Sequence, residues 1–151
     1  MVRRGFDKED FARNHPGGEL GKQLALKVEN IMHPINDVAQ INNKDSISSC
    51  AKKMTDNPLG AALLLENGSL KGIVTEGDLR KSIASNLDLS NSIEPFINDN
   101  PISIHSSVSI LDAMKIMEDR SSKISCLPVV DSDGKCLGLL TIHDLYQTKL
   151  V

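Results

Sequence analysis

Two threonine–aspartate pairs are the residues of this chain whose types and spacing suggest chemistry. Thr75 precedes Asp78 by three positions in the segment GIVTEGD, and Thr141 precedes Asp144 in GLLTIHD. A hydroxyl and free backbone N–H groups at the start of a helix stabilise a phosphate. A carboxylate one turn later accepts hydrogen bonds from ribose hydroxyls, as acidic residues do in other nucleotide sites. The pattern therefore indicates a site for a phosphorylated nucleoside.

The same spacing is also that of a capping box, which needs no ligand. Because the motif occurs twice in matching contexts, we favour ligand binding over capping alone. Gly72 and Gly138 precede the apolar pair of each motif and would let a ligand approach the backbone. Arg80 would neutralise a phosphate or lie on a solvated helix face. His143 would contact a ligand phosphate.

The motifs are part of a longer internal repeat. Gly72 and Gly138 are 66 positions apart (138 minus 72), and so are the turn glycines Gly68 and Gly134. Upstream, Cys50 corresponds to Ala113 at an offset of 63, so the second copy carries three extra residues between its helix and its hairpin. A repeat at fixed spacing indicates one supersecondary unit used twice, with one shared core.

Hydrophobic periodicity and turn signals predict the same element order in both copies: strand, helix, strand, strand, helix. A short helix over 24–32 leads into the first copy. The predicted strands are 38–41, 61–65 and 70–74 in the first copy and 102–104, 126–130 and 136–140 in the second. The predicted helices are 46–56, 76–85, 109–120 and 142–149. This order predicts an α+β fold of sandwich type, with two repeats related by pseudo-two-fold symmetry.

Composition excludes several functional classes. The 151 residues suit one domain of ordinary size, with a formal charge of −3 and only 3% aromatic residues. That charge and that shortage of rings argue against nucleic-acid binding. Because the sequence shows neither a transmembrane stretch nor a signal peptide, we expect no membrane association and a cytoplasmic location.

Cysteines and histidines give no metal or catalytic pattern. The odd number of cysteines and the lack of a CxxC pair favour buried, reduced thiols at Cys50, Cys126 and Cys136. The histidines at 33, 105 and 143 lack a metal-ligand spacing. We therefore expect no metal site and no required cofactor.

With these elements assigned, the chain resembles the cystathionine-beta-synthase (CBS) domain family, and two units in tandem resemble a CBS pair, or Bateman module. The resemblance implies binding of AMP, ADP or ATP, with Thr75 and Thr141 on the phosphate and Asp78 and Asp144 on the ribose. It also implies that the base lies against apolar residues of the strands, namely Val38, Ile102, Ala62 and Pro128. Homodimerisation through the helices is a further implication.

A narrower resemblance lies in the lead segment FDKEDFARNHPGGELGK and in GDLR at 77–80. It is similar to the junction between a sugar isomerase (SIS) domain and the CBS pair of D-arabinose-5-phosphate isomerases, which act in Kdo and lipopolysaccharide synthesis. The resemblance implies an active-site role for His15 in a full-length parent. Within this chain we expect His15 to be a loop residue before a proline-glycine turn, because the sequence contains no segment that resembles the SIS domain itself.

These resemblances imply a linker over 1–27, a first CBS repeat over 28–89 and a second over 90–151. We expect no catalytic residue in this chain and a regulatory module that binds a nucleotide or a nucleotide sugar, with CMP-Kdo as a candidate feedback ligand. The alternative is a structural dimerisation module with vestigial ligand sites. A third interpretation, an enzyme in its own right, would need isomerase activity from the chain alone.

Overall fold

The computed structural model describes residues 26–85, 88–118 and 124–148. Helices and strands alternate twice in the predicted order, and two short 3-10 helices lie at Ile35–Asp37 and Glu94–Phe96. The strands are β1 His33–Pro34, β2 Ala39–Ile41, β3 Ala61–Glu66, β4 Ser69–Thr75, β5 Ile104–His105, β6 Cys126–Val130 and β7 Cys136–Thr141. The helices are α1 Val28–Ile31, α2 Ile47–Asp56, α3 Glu76–Ala84, α4 Ile110–Glu118 and α5 Ile142–Gln147.

The first repeat forms a three-stranded sheet in the order β2-β3-β4. Strand β2 runs parallel to β3, with α2 as the connection between them, and β3 pairs antiparallel with β4. The predicted hairpin turn is confirmed, because Asn67 and Gly68 both have positive φ, at 53° and 84°. Asparagine and glycine adopt that conformation at the lowest steric cost, which explains the choice of residues in this tight hairpin.

The second repeat forms a four-stranded sheet in the order β1-β7-β6-β5. Its β5, β6 and β7 repeat the arrangement of the first sheet, with β5 parallel to β6 and β6 antiparallel to β7. The additional strand β1 comes from the segment that precedes the first repeat, and it pairs antiparallel with β7. The sequence analysis missed this strand, since two residues are too short to show a period.

The two repeats exchange the segments that precede them. We call residues 26–34 the first crossing segment and residues 88–98 the second. Val28 in the first crossing segment donates its N–H to the Val108 carbonyl of the second repeat at 2.8 Å. Its counterpart Ile93 donates to the Asp45 carbonyl of the first repeat at 2.9 Å. Each crossing segment therefore completes the core of the other repeat, and this exchange stabilises the association of the two repeats.

The core has three clusters that match this exchange. One lies under α4 and α5 and includes Val28, and a second lies under α2 and α3 and includes Ile93; both of these residues are 0% exposed. The third cluster joins the inner faces of the two sheets, with Leu63 from β3 and Leu139 from β7 fully buried. The layers run helix, sheet, sheet, helix, and the sandwich-like α+β prediction is confirmed.

Two predicted elements differ from the observed ones. Of the lead helix predicted over 24–32, positions 24 and 25 lie outside the described residues; in the described part the helix covers Val28–Ile31 and ends there because Met32 adopts an extended backbone that leads into β1. The first strand of the second repeat begins at Ile104, two positions later than expected, so Ile102 lies before the strand and is 39% exposed. In both places the chain is passing from one repeat to the other, and local patterns do not encode such a crossing.

Candidate functional site

Each motif threonine ends a strand and caps the helix that follows. Thr75 donates its N–H to Oδ2 of Asp78 at 3.0 Å, and Thr75 Oγ1 accepts the Asp78 N–H at 3.4 Å. In the second copy the Thr141 N–H reaches Oδ2 of Asp144 at 2.9 Å, and the reciprocal bond is 3.1 Å long. Both capping boxes are therefore complete by themselves. The motif has a structural role in each repeat, and a ligand must use the atoms that the caps leave over.

Few backbone donors remain at these helix starts. Glu76 donates its N–H to the Gly60 carbonyl at 3.2 Å, and Ile142 donates to the Ser125 carbonyl at 2.9 Å. The next residues, Gly77 and His143, donate to no partner within the described ranges. Each helix start therefore offers one free backbone N–H to an anion, beside the capped threonine hydroxyl.

We call the depression beside Thr75 the first cleft. Its volume is about 350 Å³, which is in the range of small-molecule pockets. Three groups converge at Gly77: a Cβ built there would lie 3.7 Å from Thr75 Oγ1 and 4.0 Å from an Arg80 guanidinium nitrogen. The cleft is lined from both repeats, by Gly60, Ile73, Thr75, Glu76, Gly77, Arg80, Asn98, Ile102, Ile124, Ser125 and Cys126.

The first cleft combines an anion site with an apolar wall. The Gly77 N–H and the Arg80 guanidinium supply hydrogen-bond donors and one positive charge at one end, beside the Thr75 hydroxyl, which donates to Oδ2 of Asp78 at 3.0 Å. The side chains of Ile102 and Ile124 supply apolar surface. This combination suits a ligand with a phosphate and a planar base.

The depression beside Thr141 is the second cleft, with a volume of about 470 Å³. Pro58 and Leu59 of the first repeat form its apolar side, at the position that Ile124 and Ser125 occupy in the first cleft (124 minus 58 gives 66). Its remaining lining is His33, Thr141, His143, Asp144 and Gln147. Its ionisable groups are thus two imidazoles and a carboxylate, and it contains no arginine or lysine among the described residues.

One wall separates the clefts. The Cys126 thiol, which lines the first cleft, donates to the carbonyl oxygen of Leu59, which lines the second, at 3.3 Å. Burial raises the pKa of the Cys126 thiol, and it raises the pKa of Cys50 to about 11. All three cysteines are buried, as predicted. A thiolate, the reactive form, is therefore disfavoured at this wall.

The motif glycines lie under the crossing segments. A Cβ on Gly138 would collide with the His33 carbonyl oxygen, and a Cβ on Gly72 would lie 2.6 Å from Ile97 Cγ2 and 3.1 Å from the Asn98 carbonyl. The space beside each glycine is thus filled by the protein chain, where the sequence analysis expected a ligand. The structure gives these glycines a packing role, and a ligand contact at either one stays a prediction.

The predicted base-binding residues divide into two groups. Ile102 lines the first cleft, although it precedes the strand on which it was expected. Val38 and Ala62 are 3% and 0% exposed in the core, and Pro128 is buried within β6. None of these three lines either cleft. A contact of these three residues with the base stays a prediction.

Among the predicted polar site residues, Thr75 and Arg80 line the first cleft, and Thr141, His143 and Asp144 line the second. Asp78 does not line the first cleft. Its Oδ2 is held by Thr75, whereas its Oδ1 accepts no hydrogen bond from the described residues. His15 lies outside the described residues.

Sequence reasoning missed the residues that the crossing segments deliver to the clefts. His33 Nε2 lies 2.9 Å from Oδ1 of Asp144, with the two side chains 34% and 10% exposed. Asn98 is the equivalent residue of the first cleft (98 minus 33 gives 65). The internal repeat shows that His33 and Asn98 are equivalent. It does not show that each of them lies beside the motif of the other repeat, because that depends on the exchange of the crossing segments.

Comparison with known proteins agrees with the geometry. The model of the CBS domain family matches residues 28–85 and 93–149. The chain belongs to the CBS domain family. The pair is 40% identical over 146 residues to arabinose 5-phosphate isomerase KdsD of Pseudomonas aeruginosa, covering 95% of this chain and 44% of that protein. It is 36% identical over 148 residues to KdsD of Francisella tularensis, covering 97% and 45%.

This CBS pair therefore spans less than half the length of the curated relatives it matches. Solved CBS structures share its fold. CBSX2 of Arabidopsis thaliana, solved with AMP, has a TM-score of 0.68 and 20% identity over 82% of this chain and 96% of that one. PAE2072 of Pyrobaculum aerophilum, also solved with AMP, has a TM-score of 0.67 and 22% identity over 79% and 89%. Within the described ranges, no helix of this CBS pair is long and apolar enough to cross a membrane.

Proposed function

We propose that this CBS pair is a regulatory module that binds a nucleotide or a nucleotide sugar in its clefts. The observation that carries the proposal is the convergence of the Thr75 hydroxyl, the Gly77 N–H and the Arg80 guanidinium at one end of a cleft whose apolar side comes from the other repeat. A phosphate at this end and a base against Ile102 and Ile124 satisfy both sides of the cleft. The AMP complexes of two CBS structures with the same fold support the proposal.

The proposed mechanism follows from the position of the clefts. Each cleft is lined by residues of both repeats, so a bound ligand contacts both halves. A ligand that binds one relative arrangement of the halves more tightly shifts the population toward that arrangement. Such a shift reaches any domain attached to the crossing segments and changes its activity.

We propose that the regulated domain is a sugar isomerase of the arabinose-5-phosphate type. The homology to KdsD proteins over nearly all of this chain supports that parent activity, and so does the lead segment with His15. Adenosine nucleotides are the first candidate ligands. CMP-Kdo, the activated end product of the Kdo pathway that feeds lipopolysaccharide synthesis, is the candidate for feedback control. The proposed location is the cytoplasm.

A second candidate function is a dimerisation scaffold. Three large apolar side chains are exposed on helices outside the sheets: Ile83 on α3 at 50%, Leu111 on α4 at 38% and Tyr146 on α5 at 51%. A homodimer through these helices would bury them. The scaffold needs no ligand, and this separates it from the sensor.

The test is a thermal-shift screen of the chain with AMP, ADP, ATP, CMP and CMP-Kdo. A ligand at one hundred times its dissociation constant stabilises by about 2.7 kcal/mol, which moves the midpoint by several degrees. We expect one compound to give this shift, and we expect Asp78→Ala or Asp144→Ala to abolish it. If no compound shifts the midpoint, the scaffold replaces the sensor.

The matched control is Asp112→Ala. Ser109 Oγ accepts the Asp112 N–H at 3.1 Å, so Asp112 stands three residues after a capping hydroxyl, as Asp78 does. Asp112 lines neither cleft. The variant therefore removes a carboxylate from the first turn of a helix outside the motifs, and it should keep the full ligand-induced shift. Loss of the shift in this control would mean that the shift responds to any lost carboxylate at a helix start and does not report on the motif aspartates.

A further inference from the structure

The two motif aspartates differ in the oxygen atoms they have left for a ligand. In both, Oδ2 accepts the N–H of the capping threonine. Oδ1 of Asp78 accepts no hydrogen bond from the described residues. Oδ1 of Asp144 is bonded to Nε2 of His33 at 2.9 Å. Only one of the two motif aspartates therefore has a carboxylate oxygen without a hydrogen-bond partner among the described residues, and it is the one that lies outside the lining of its cleft.

The difference comes from one pair of equivalent residues. His33 lies opposite Leu139 in the pairing of β1 with β7, and Asn98 forms the equivalent bridge with Ile73 of β4. The two backbones thus pair with the sheets in the same way. The side chains make different contacts. His33 bonds to the motif aspartate, whereas Asn98 Oδ1 accepts the backbone N–H of Asn100 in its own loop at 3.0 Å.

We propose that His33 determines the specificity of the second cleft by competing with the ligand for Asp144. The inference rests on the proposed function. While the imidazole donates to Oδ1, a ribose hydroxyl has no free acceptor there, so a nucleoside phosphate must displace His33 before it binds. The first cleft has no such competitor, because the Asn98 side chain, which accepts the Asn100 N–H, makes no hydrogen bond to Asp78. The two clefts are therefore unequal: the first binds a nucleoside phosphate readily, and the second binds it weakly.

The effect of His33 on the affinity of the second cleft depends on how often Asp144 is free of the imidazole. The apparent dissociation constant equals the intrinsic one divided by the fraction of molecules in which Asp144 is free. A hydrogen bond to a charged group keeps that fraction at about one tenth or less. Removing the imidazole should therefore tighten binding in the second cleft by about tenfold, and it should leave the first cleft unchanged.

The experiment is a titration of the ¹⁵N-labelled chain with AMP and, separately, with CMP, followed by NMR. The amides of Gly77 and His143 report on the first and second clefts separately. The variants are His33→Ala, which frees Asp144, and His33→Gln, which keeps a donor of similar reach. Asn98→Ala is the matched control, since it truncates the equivalent residue of the other cleft.

We expect the wild-type Gly77 amide to respond at a lower concentration than the His143 amide. In His33→Ala, the dissociation constant read at His143 should fall about tenfold. His33→Gln should keep the wild-type value, and Asn98→Ala should leave the His143 response unchanged. A 2′,3′-dideoxy analogue of AMP should bind the second cleft no more tightly in His33→Ala than in the wild type, because it lacks the ribose hydroxyls that would donate hydrogen bonds to Asp144.

Each other outcome contradicts a specific statement. Equal wild-type affinities at the two amides, or an unchanged His143 response in His33→Ala, overturn the role of His33 and leave the proposed function intact. A gain with the dideoxy analogue also overturns it, since the effect would then be steric. If neither amide responds to AMP or CMP in any variant, nucleotide binding and the role of His33 fail together.

Discussion

Asp78, in the motif beside the first cleft, keeps one carboxylate oxygen free of hydrogen bonds from the described residues, whereas His33 donates to the equivalent oxygen of Asp144 in the second cleft at 2.9 Å. The basic side chains differ as well, because Arg80 lines the first cleft and the imidazoles of His33 and His143 line the second. Yet the capping boxes of the two motifs have nearly the same geometry.

This difference shows which part of the chain sets each property. The threonine and aspartate of each motif fix the start of a helix by contacts over three residues, so the two repeats agree there. The chemistry of each cleft is set by residues from the opposite repeat and by the crossing segments, so there the repeats differ. A duplicated motif therefore need not give duplicated binding.

The largest effect that would sharpen the comparison is expected at the motif glycines. In Gly138→Ala the new methyl group meets the His33 backbone, so β1 has to move off β7. In Gly72→Ala the nearest atom is the Cγ2 methyl of Ile97, which can move by rotation of that side chain, and the nearest backbone atom, the Asn98 carbonyl oxygen, is 3.1 Å away. We expect a loss of about 3 kcal/mol in the free energy of unfolding for Gly138→Ala and about 1 kcal/mol for Gly72→Ala, measured by urea titration.

Equal losses of stability at the two glycines would mean that the two crossing segments accommodate a methyl group equally well. The expectation that the His33 backbone in β1 cannot move without cost would then be wrong. Gly134→Ala is a useful reference. Its Cβ would meet nothing within 4 Å, so its cost comes from the positive φ of 82° alone. It separates the cost of backbone conformation from the cost of a collision.

The capping threonines should give equal effects in the two repeats. Thr75→Ala and Thr141→Ala each remove the hydroxyl that accepts an aspartate N–H, and each should cost about 1 kcal/mol. Thr75→Ser and Thr141→Ser keep that acceptor and should recover most of the loss. Thermal unfolding without ligand measures all four variants. A threonine whose removal costs nothing would be retained for ligand binding alone, which the closed capping boxes argue against.

A smaller difference concerns acid stability. Burial opposes ionisation of Asp45, but hydrogen bonds from Lys53, Asn42 and Ser49 outweigh it, so the pKa of Asp45 is lowered in the folded state. The stability it contributes is therefore present above its unfolded pKa and is lost as the pH falls through its folded pKa. The equivalent position of the second repeat is Val108 (108 minus 45 gives 63), which has no charge.

We expect Asp45→Asn to lower the free energy of unfolding by about 1 kcal/mol at pH 7 and by less at pH 3, in urea titrations at both pH values. Asp56→Asn is the control, because its partner Lys52 is 77% exposed and the pair should contribute little. A loss for Asp45→Asn that stays constant with pH would show that the charge does not matter and that only the shape of the side chain does.

Much of the fold was predictable because its signals are local. The periodicity of α2 and the turn residues Asn67 and Gly68 act over a few positions, and each produced the expected element. The exchange of crossing segments was not predictable in this way. Strand β1 has two residues, and its pairing with β7 joins positions more than a hundred residues apart.

In the candidate site, too, the features set by local sequence were predictable and those set by long-range packing were not. Thr75 and Thr141 were assigned correctly as residues that end a strand and begin a helix, because the motif itself encodes that geometry. The apolar lining of the clefts depends on more than the motif. Ala62 was expected at the base, and the structure places it in the core of its own repeat, so that contact stays a prediction. Which face of a strand lies toward a cleft depends on the packing of the two sheets, which no single segment contains.

The most direct test of nucleotide binding is a crystal structure of the chain grown with AMP. We expect AMP in the first cleft, with its phosphate at the Gly77 N–H and the Arg80 guanidinium and its base against Ile102 and Ile124. His33 should remain on Asp144 wherever the second cleft is empty. AMP bound outside both clefts, or bound first beside Thr141 with His33 still on Asp144, would contradict the proposed function and the proposed role of His33.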